Sequence, residues 1–286
     1  MTARGKASRR GASRAKPGAQ RDAAERSLRL RERRLRIRGK KVRAWGKGRG
    51  RPLGVLSGLF GFPAWTPFLE ALAARRRVIV PSLPGHPGGG DFRRLDDLAD
   101  WVIATQELLE AAGLEGADLV GLGPGGTLAA EVAAFSPASV RRLVLVAPFG
   151  LFDEREPVAD FWAKRASELP GTFSAKPAEF AAQVLAQPPG ADEVEFRVEQ
   201  MRSLEAAARL LWPFGDRGLA KRLHRISAPT LLVWGSADAI VPASYAKRFA
   251  AGIAGRTRIR SLAGAGHRAD FDAPAALARA ILDFLT

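Results

Sequence analysis

The 286-residue sequence contains no cysteine, which excludes disulfides, thiol catalysis and thiolate metal sites. Its three histidines, His86, His224 and His267, are scattered along the chain, which argues against a zinc site. No cofactor is expected. No stretch approaches the roughly 20 apolar residues of a membrane span, and the start has no apolar segment, so neither insertion nor secretion is indicated and a cytoplasmic location is expected. Aromatic residues are missing from the front of the chain: Trp45 is the only one before Phe60, which withholds the stacking platform used to bind single-stranded nucleic acid.

What is present is an ordinary globular composition, 47% apolar, with a formal net charge of +16. The charge is not spread evenly. Residues 1–51 carry 20 Lys and Arg against 3 Asp and Glu, leaving 25 against 26 for the remainder. Residues 1–21 hold seven basic and no acidic residues among Ala, Gly and Ser. That composition cannot bury a core, and 1–26 is expected to form a disordered basic tail. Its bland reading is a solvated segment. The sharper one is weak polyanion contact through residues 1–21, and an Arg-rich, acid-poor start also fits an organelle transit peptide.

From Ser27 the pattern changes to alternation: Leu28, Leu30, Leu35 and Ile37 stand among arginines, followed by a Gly39-Lys40 turn and Val42-Arg-Ala-Trp45. This predicts an antiparallel hairpin with one covered and one basic face. Short buried strands follow in Leu53-Gly-Val-Leu-Ser-Gly58, which ends in a glycine loop, and at 78–81, 117–120 and 142–147, separated by a helix that Phe62-Pro-Ala-Trp65 leads into and that runs to Ala74, a helix at about 95–112 and an Ala-rich one at 127–135. From 149 to about 223 the pattern is helical and broken by prolines. Strand and helix alternate again from Thr230 to the C-terminus. Such alternation predicts an α/β fold, a mostly parallel twisted sheet with helices on both faces. Its expected core is 27–149 with 224–286, and 150–223 is expected to be a helical cap. The aromatic residues of that insertion are enough to roof a pocket for a small apolar ligand, although such stripes more often serve as plain core.

The stretch Asp118-Leu-Val-Gly-Leu-Gly-Pro-Gly-Gly-Thr127 is the most informative. It runs from a strand through four glycines into a helix, the frame of a G-x-S-x-G nucleophile elbow. Aligning Gly121 and Gly125 puts Gly123 at the tip, where no side chain exists to act as nucleophile. Pro124 follows, and it has no backbone N–H to offer an oxyanion. The same residues also satisfy G-x-G-x-x-G, the dinucleotide fingerprint. That motif belongs on the first strand of its unit, with an acidic residue about 20 positions on, whereas here several strands precede it and the next strand ends at Pro148 without a carboxylate.

The order of elements, the elbow frame Gly121 to Gly126, Leu83-Pro-Gly-His86, Pro229-Thr-Leu-Leu-Val-Trp-Gly-Ser-Ala-Asp238-x-x-Val-Pro242 and Gly264-Ala-Gly-His267 together resemble the α/β-hydrolase superfamily from about residue 27 to the end. The resemblance implies that Asp238 stands at the position of the triad acid and His267 at that of the triad base. Three places depart from the family pattern: Gly123-Pro124, Ser57-Gly58 in place of His-Gly, and Pro81-Ser-Leu83 in place of Pro-Asp-Leu. Ser57 is the one hydroxyl placed near the elbow at the mouth of the sheet, a substitute donor or displaced nucleophile at best. The expected function is a binding or regulatory pseudo-hydrolase with a capped apolar pocket. One alternative is a hydrolase- or lyase-like enzyme using the Asp238–His267 dyad as acid–base on a small apolar ester, ketone or lactone. The other is a polyanion-associating protein acting through the basic arm.

Overall fold

The arginine-studded alternation near the start forms β1 (Arg31–Ile37) and β2 (Lys40–Lys47), paired antiparallel with Leu35 opposite Val42. Their tight turn is Arg38-Gly39, both at positive φ (46° and 78°), which matches the twist of a two-residue hairpin. The structure, a computed structural model, describes residues 29–62, 64–187 and 190–286. The tail reading for 1–26 lies outside these.

Strands β3 (Pro52–Leu56), β4 (Arg77–Pro81), β5 (Ala117–Leu122), β6 (Val140–Val146), β7 (Thr230–Gly235) and β8 (Thr257–Leu262) complete an eight-stranded sheet of order β1-β2-β4-β3-β5-β6-β7-β8. β2 runs antiparallel to β4, and every pairing from β4 through β8 is parallel. Every residue of β5 and of β7 is buried, as expected of parallel strands covered on both faces.

One cover is α1 (Pro67–Ala73) packed on the C-terminal helix, with Phe68, Leu72, Leu277 and Ile281 inside. The other includes α2 (Leu98–Ala112) and α3 (Pro124–Phe135). α2 starts at Leu98, later than the sequence pattern suggests, because the Asp97 side chain caps it by accepting from Asp100 N at 3.0 Å. Gly113 ends it in the left-handed conformation, φ 71°.

Between β6 and β7 the chain forms α4 (Leu169–Phe173), α5 (Pro177–Phe180), α6 (Glu193–Leu211) and α7 (Leu219–Arg222). Residues 151–168 are not helical, contrary to the expectation from their pattern. Asp153 accepts from Arg155 N, and Asp160 accepts from Trp162 N and Ala163 N. Such aspartate side chains offer the backbone local turns in place of a helix. The last elements are α8 (Tyr245–Gly252), α9 (Ala269–Asp272) and α10 (Pro274–Leu285).

Candidate active site

α3 approaches β5 and the end of β3 so closely that only glycine fits at two points. A Cβ on Gly121 would lie 2.4 Å from the Gly125 carbonyl oxygen, and one on Gly125 would lie 2.4 Å from that of Ser57. Gly123 sits at the tip with φ 48° and ψ −116°, the strained region that L side chains rarely adopt. Its N–H donates to Val146 O at 2.9 Å and its carbonyl accepts from Thr127 N at 3.0 Å, so the turn is fixed from both sides. Pro124 opens α3 at the first helical position, where its missing N–H costs the helix nothing.

A Cβ on Gly123 would point at His267, 3.3 Å from Nε2, with Phe149 Cε2 at 3.5 Å. His267 lies in the loop between β8 and α9, and its Nδ1 is 3.0 Å from Asp238 Oδ2. Asp238, in the loop after β7, is itself held: its Oδ1 accepts from Ile240 N at 2.8 Å and Val241 N at 3.0 Å. Both side chains are almost wholly buried, 3% and 1% exposed. With Nδ1–H donating to the carboxylate, Nε2 keeps its lone pair toward the elbow tip, the arrangement of a general base.

The structure thus brings Gly123, Asp238 and His267 together and leaves Ser57 apart. Ser57 is buried, its carbonyl packed against Gly125, and no hydrogen bond joins it to His267 or Asp238 among the described residues. Of the other hydroxyls considered, Ser82 accepts from Arg43 Nε at 3.2 Å and Ser236 accepts from Gly264 N at 2.9 Å. His86 is structural: its Nε2 lies 3.0 Å from Gly58 O and its Nδ1 3.3 Å from Pro84 O, and burial lowers its pKa. His224 is exposed.

Two features escaped sequence reasoning. The first is Asp272, whose carboxylate accepts from Gly266 N at 2.6 Å, from Ala175 N at 3.0 Å and from the Ser174 hydroxyl. Together with Arg268 N donating to Phe173 O at 2.9 Å, it pins residues 173–175 to the loop that carries His267. Its sequence position, just ahead of Pro274, reads only as a helix start. The second is how the aromatic side chains pack against His267. Phe149 and Phe173 stand against the imidazole, ring centroids 5.3 and 6.4 Å away, and Phe161, Phe180 and Phe214 pack around them. The cavity beside Phe149 and Thr127 measures about 20 Å³, room for about one water. A separate cleft of about 450 Å³, lined by none of Gly123, Asp238 and His267, lies between α6 and the core, walled by Phe60, Val184 and Phe196 and edged by Arg43, Glu195 and Glu199. Phe60 also borders the aromatic cluster, 5.3 Å from Phe173. Among the described residues no group of three or more His, Cys, Asp or Glu is placed to hold a metal ion, and no helix is long and apolar enough to cross a membrane.

A strand–elbow–helix at the sheet centre and an acid and a histidine on the loops after β7 and β8 point to one architecture, and the model of the alpha/beta hydrolase family matches residues 55–280. The chain belongs to the alpha/beta hydrolase family. This α/β hydrolase is 31% identical over 82% of its length to the dihydrolipoyllysine-residue acetyltransferase component of an acetoin cleaving system from Pseudomonas putida, and spans 64% of that protein. It is 28% identical to a 2-hydroxymuconate semialdehyde hydrolase from Pseudomonas sp. (strain CF600), covering 83% of this chain and 88% of the relative. In structure it is similar to a meta-cleavage product hydrolase from Pseudomonas fluorescens, with TM-score 0.70, 19% identity, and coverage of 88% and 97% of the two chains.

Proposed function

We propose that this α/β hydrolase does not carry out serine acyl transfer and acts instead as a binding or regulatory protein for a small, largely apolar ligand. One observation carries the reading: the position whose Cβ direction meets His267 Nε2 at 3.3 Å is Gly123. Covalent acyl transfer needs a nucleophile there, and the residue after it has no N–H for an oxyanion. The aromatic side chains packed against His267 support an apolar ligand there, with residues 150–223 as its roof, and the separate cleft of about 450 Å³ beside α6 has room for a ligand of modest size. Relatives named for hydrolysis of a semialdehyde or of a meta-cleavage product support a carbonyl-bearing ligand.

A second reading rests on the Asp238–His267 hydrogen bond of 3.0 Å. A base so oriented serves acid–base chemistry on an ester, ketone or lactone without a covalent step. Turnover on a panel of esters, lactones and thioesters, read beside thermal-shift screening of the same compounds, separates the two. Binding without turnover, and no labelling by a fluorophosphonate, is expected. Turnover that disappears in His267→Ala would replace the first reading with the second.

A further inference from the structure

Most of the basic charge belongs to the fold. Residues 29–51 carry 12 Lys and Arg and a single acidic residue, Glu32, a net of +11 against +6 for residues 1–28. Their centre is the β1–β2 hairpin, at the outer edge of the sheet. On one face the register sets Arg34 opposite Arg43 and Arg36 opposite Lys41. Like charges directly opposite one another destabilise a sheet. On the other face Arg31 and Arg33 stand opposite Gly46 and Ala44.

Neutralisation is partial. Glu32 pairs with Arg34 at 2.7 Å, Glu107 with Arg38 at 2.9 Å and Asp91 with Lys40 at 3.5 Å. Arg31, Arg33, Arg36 and Lys41 are exposed and have no acidic partner among the described residues. Charged side chains on an edge strand also guard it against mispairing. Four unpaired cations on both faces, two of them, Arg36 and Lys41, directly opposite one another, suit a polyanion.

We propose that the β1–β2 hairpin is a docking surface for the phosphate backbone of double-stranded nucleic acid. Guanidinium groups engage phosphates bidentately. The single aromatic of the hairpin, Trp45, is buried with the Arg43 guanidinium 4.1 Å above its ring, so unpaired bases have nothing to stack on and the contact is to backbone, independent of sequence. An anionic membrane would use cations beside insertable apolar groups. Here Leu35 and Val42 are buried, and among the described residues Leu30, just before β1, is the one large exposed apolar side chain that adjoins the hairpin; Val194, Val198 and Met201 lie on α6, a different element.

The test is fluorescence anisotropy of a labelled DNA duplex titrated with the full chain between about 50 and 200 mM salt. The triple variant Arg33→Gln/Arg36→Gln/Lys41→Gln should reduce the slope of log K against log salt by about three. Its melting temperature should be no lower than wild type, because the Arg36–Lys41 repulsion is removed, and Arg36→Glu alone gives an independent check that does not depend on three simultaneous changes. A full-length variant with the seven basic residues of 1–21 changed to Gln should keep the hairpin share of the slope. An unchanged slope in the triple variant, binding lost wholly with the tail charges, no binding to the duplex, or binding to phosphatidylserine vesicles instead would each overturn the proposal.

Discussion

Replacing Gly123 by serine, alone and with Pro124→Ala, probes both halves of the elbow reading. At φ 48° a side chain is strained, a cost of about 1–3 kcal/mol. The new Cβ would stand 3.3 Å from His267 Nε2 and 3.5 Å from Phe149 Cε2, so the imidazole must shift slightly while the phenyl ring can stay. At roughly 2–4 °C per kcal/mol, Gly123→Ser should melt roughly 2–12 °C below wild type. The hydroxyl then lies within reach of a base already held by Asp238. Pro124 still withholds its N–H, and loss of one oxyanion donor costs about 100- to 1,000-fold in rate. The single variant is therefore expected to be nearly inactive on p-nitrophenyl acetate, and the double variant about 100 to 1,000 times faster. Fluorophosphonate labelling of the introduced serine checks the same ranking without substrate. Equal rates in the two variants would refute the assignment of Pro124 to the oxyanion position. A folded double variant that neither turns over nor labels would refute the claim that the Gly123 direction is that of a nucleophile.

Gly125→Ala should be more damaging than its size suggests, because the added methyl meets the Ser57 carbonyl at 2.4 Å and backbone cannot yield as a side chain does; a loss of about 3 kcal/mol by urea unfolding is expected, and a change under about 0.5 kcal/mol would contradict the packing of the elbow. His86 predicts a pH dependence: burial lowers its folded-state pKa, so the unfolded chain binds the proton more readily and stability falls as pH drops below about 6.5. Melting temperatures from neutral pH to pH 5 should therefore decline more steeply in wild type than in His86→Gln, and parallel curves would remove His86 as the cause. Asp272→Asn weakens the acceptor shared by Gly266, Ala175 and Ser174, at about 1–3 kcal/mol; proteolysis within residues 150–223 should accelerate, and an unchanged digestion rate would show that the cap is held elsewhere.

The alternation of short apolar strands with helices was enough to specify a mostly parallel sheet, since buried strands and amphipathic helices write their faces into local periodicity. The elbow was legible for a related reason. Glycines at 121 and 125 are demanded by contacts within a few residues or with the adjacent strand. Asp238 and His267 could be placed on their loops by resemblance, yet their meeting at 3.0 Å, and the aim of Nε2 at the elbow tip, depend on β5, β7 and β8 lying in one sheet. Residues 151–168 were misread because aspartate turns override a helical pattern without altering it. The grip of Asp272 on Ser174 spans 98 residues, and no local signal encodes a partner so distant. Charge divides in the same way. Composition fixed how much of it the front of the chain carries, but the opposition of Arg34 to Arg43 and of Arg36 to Lys41 is set by strand register, which forms only when the hairpin buries Leu35 and Val42 against the body of the fold.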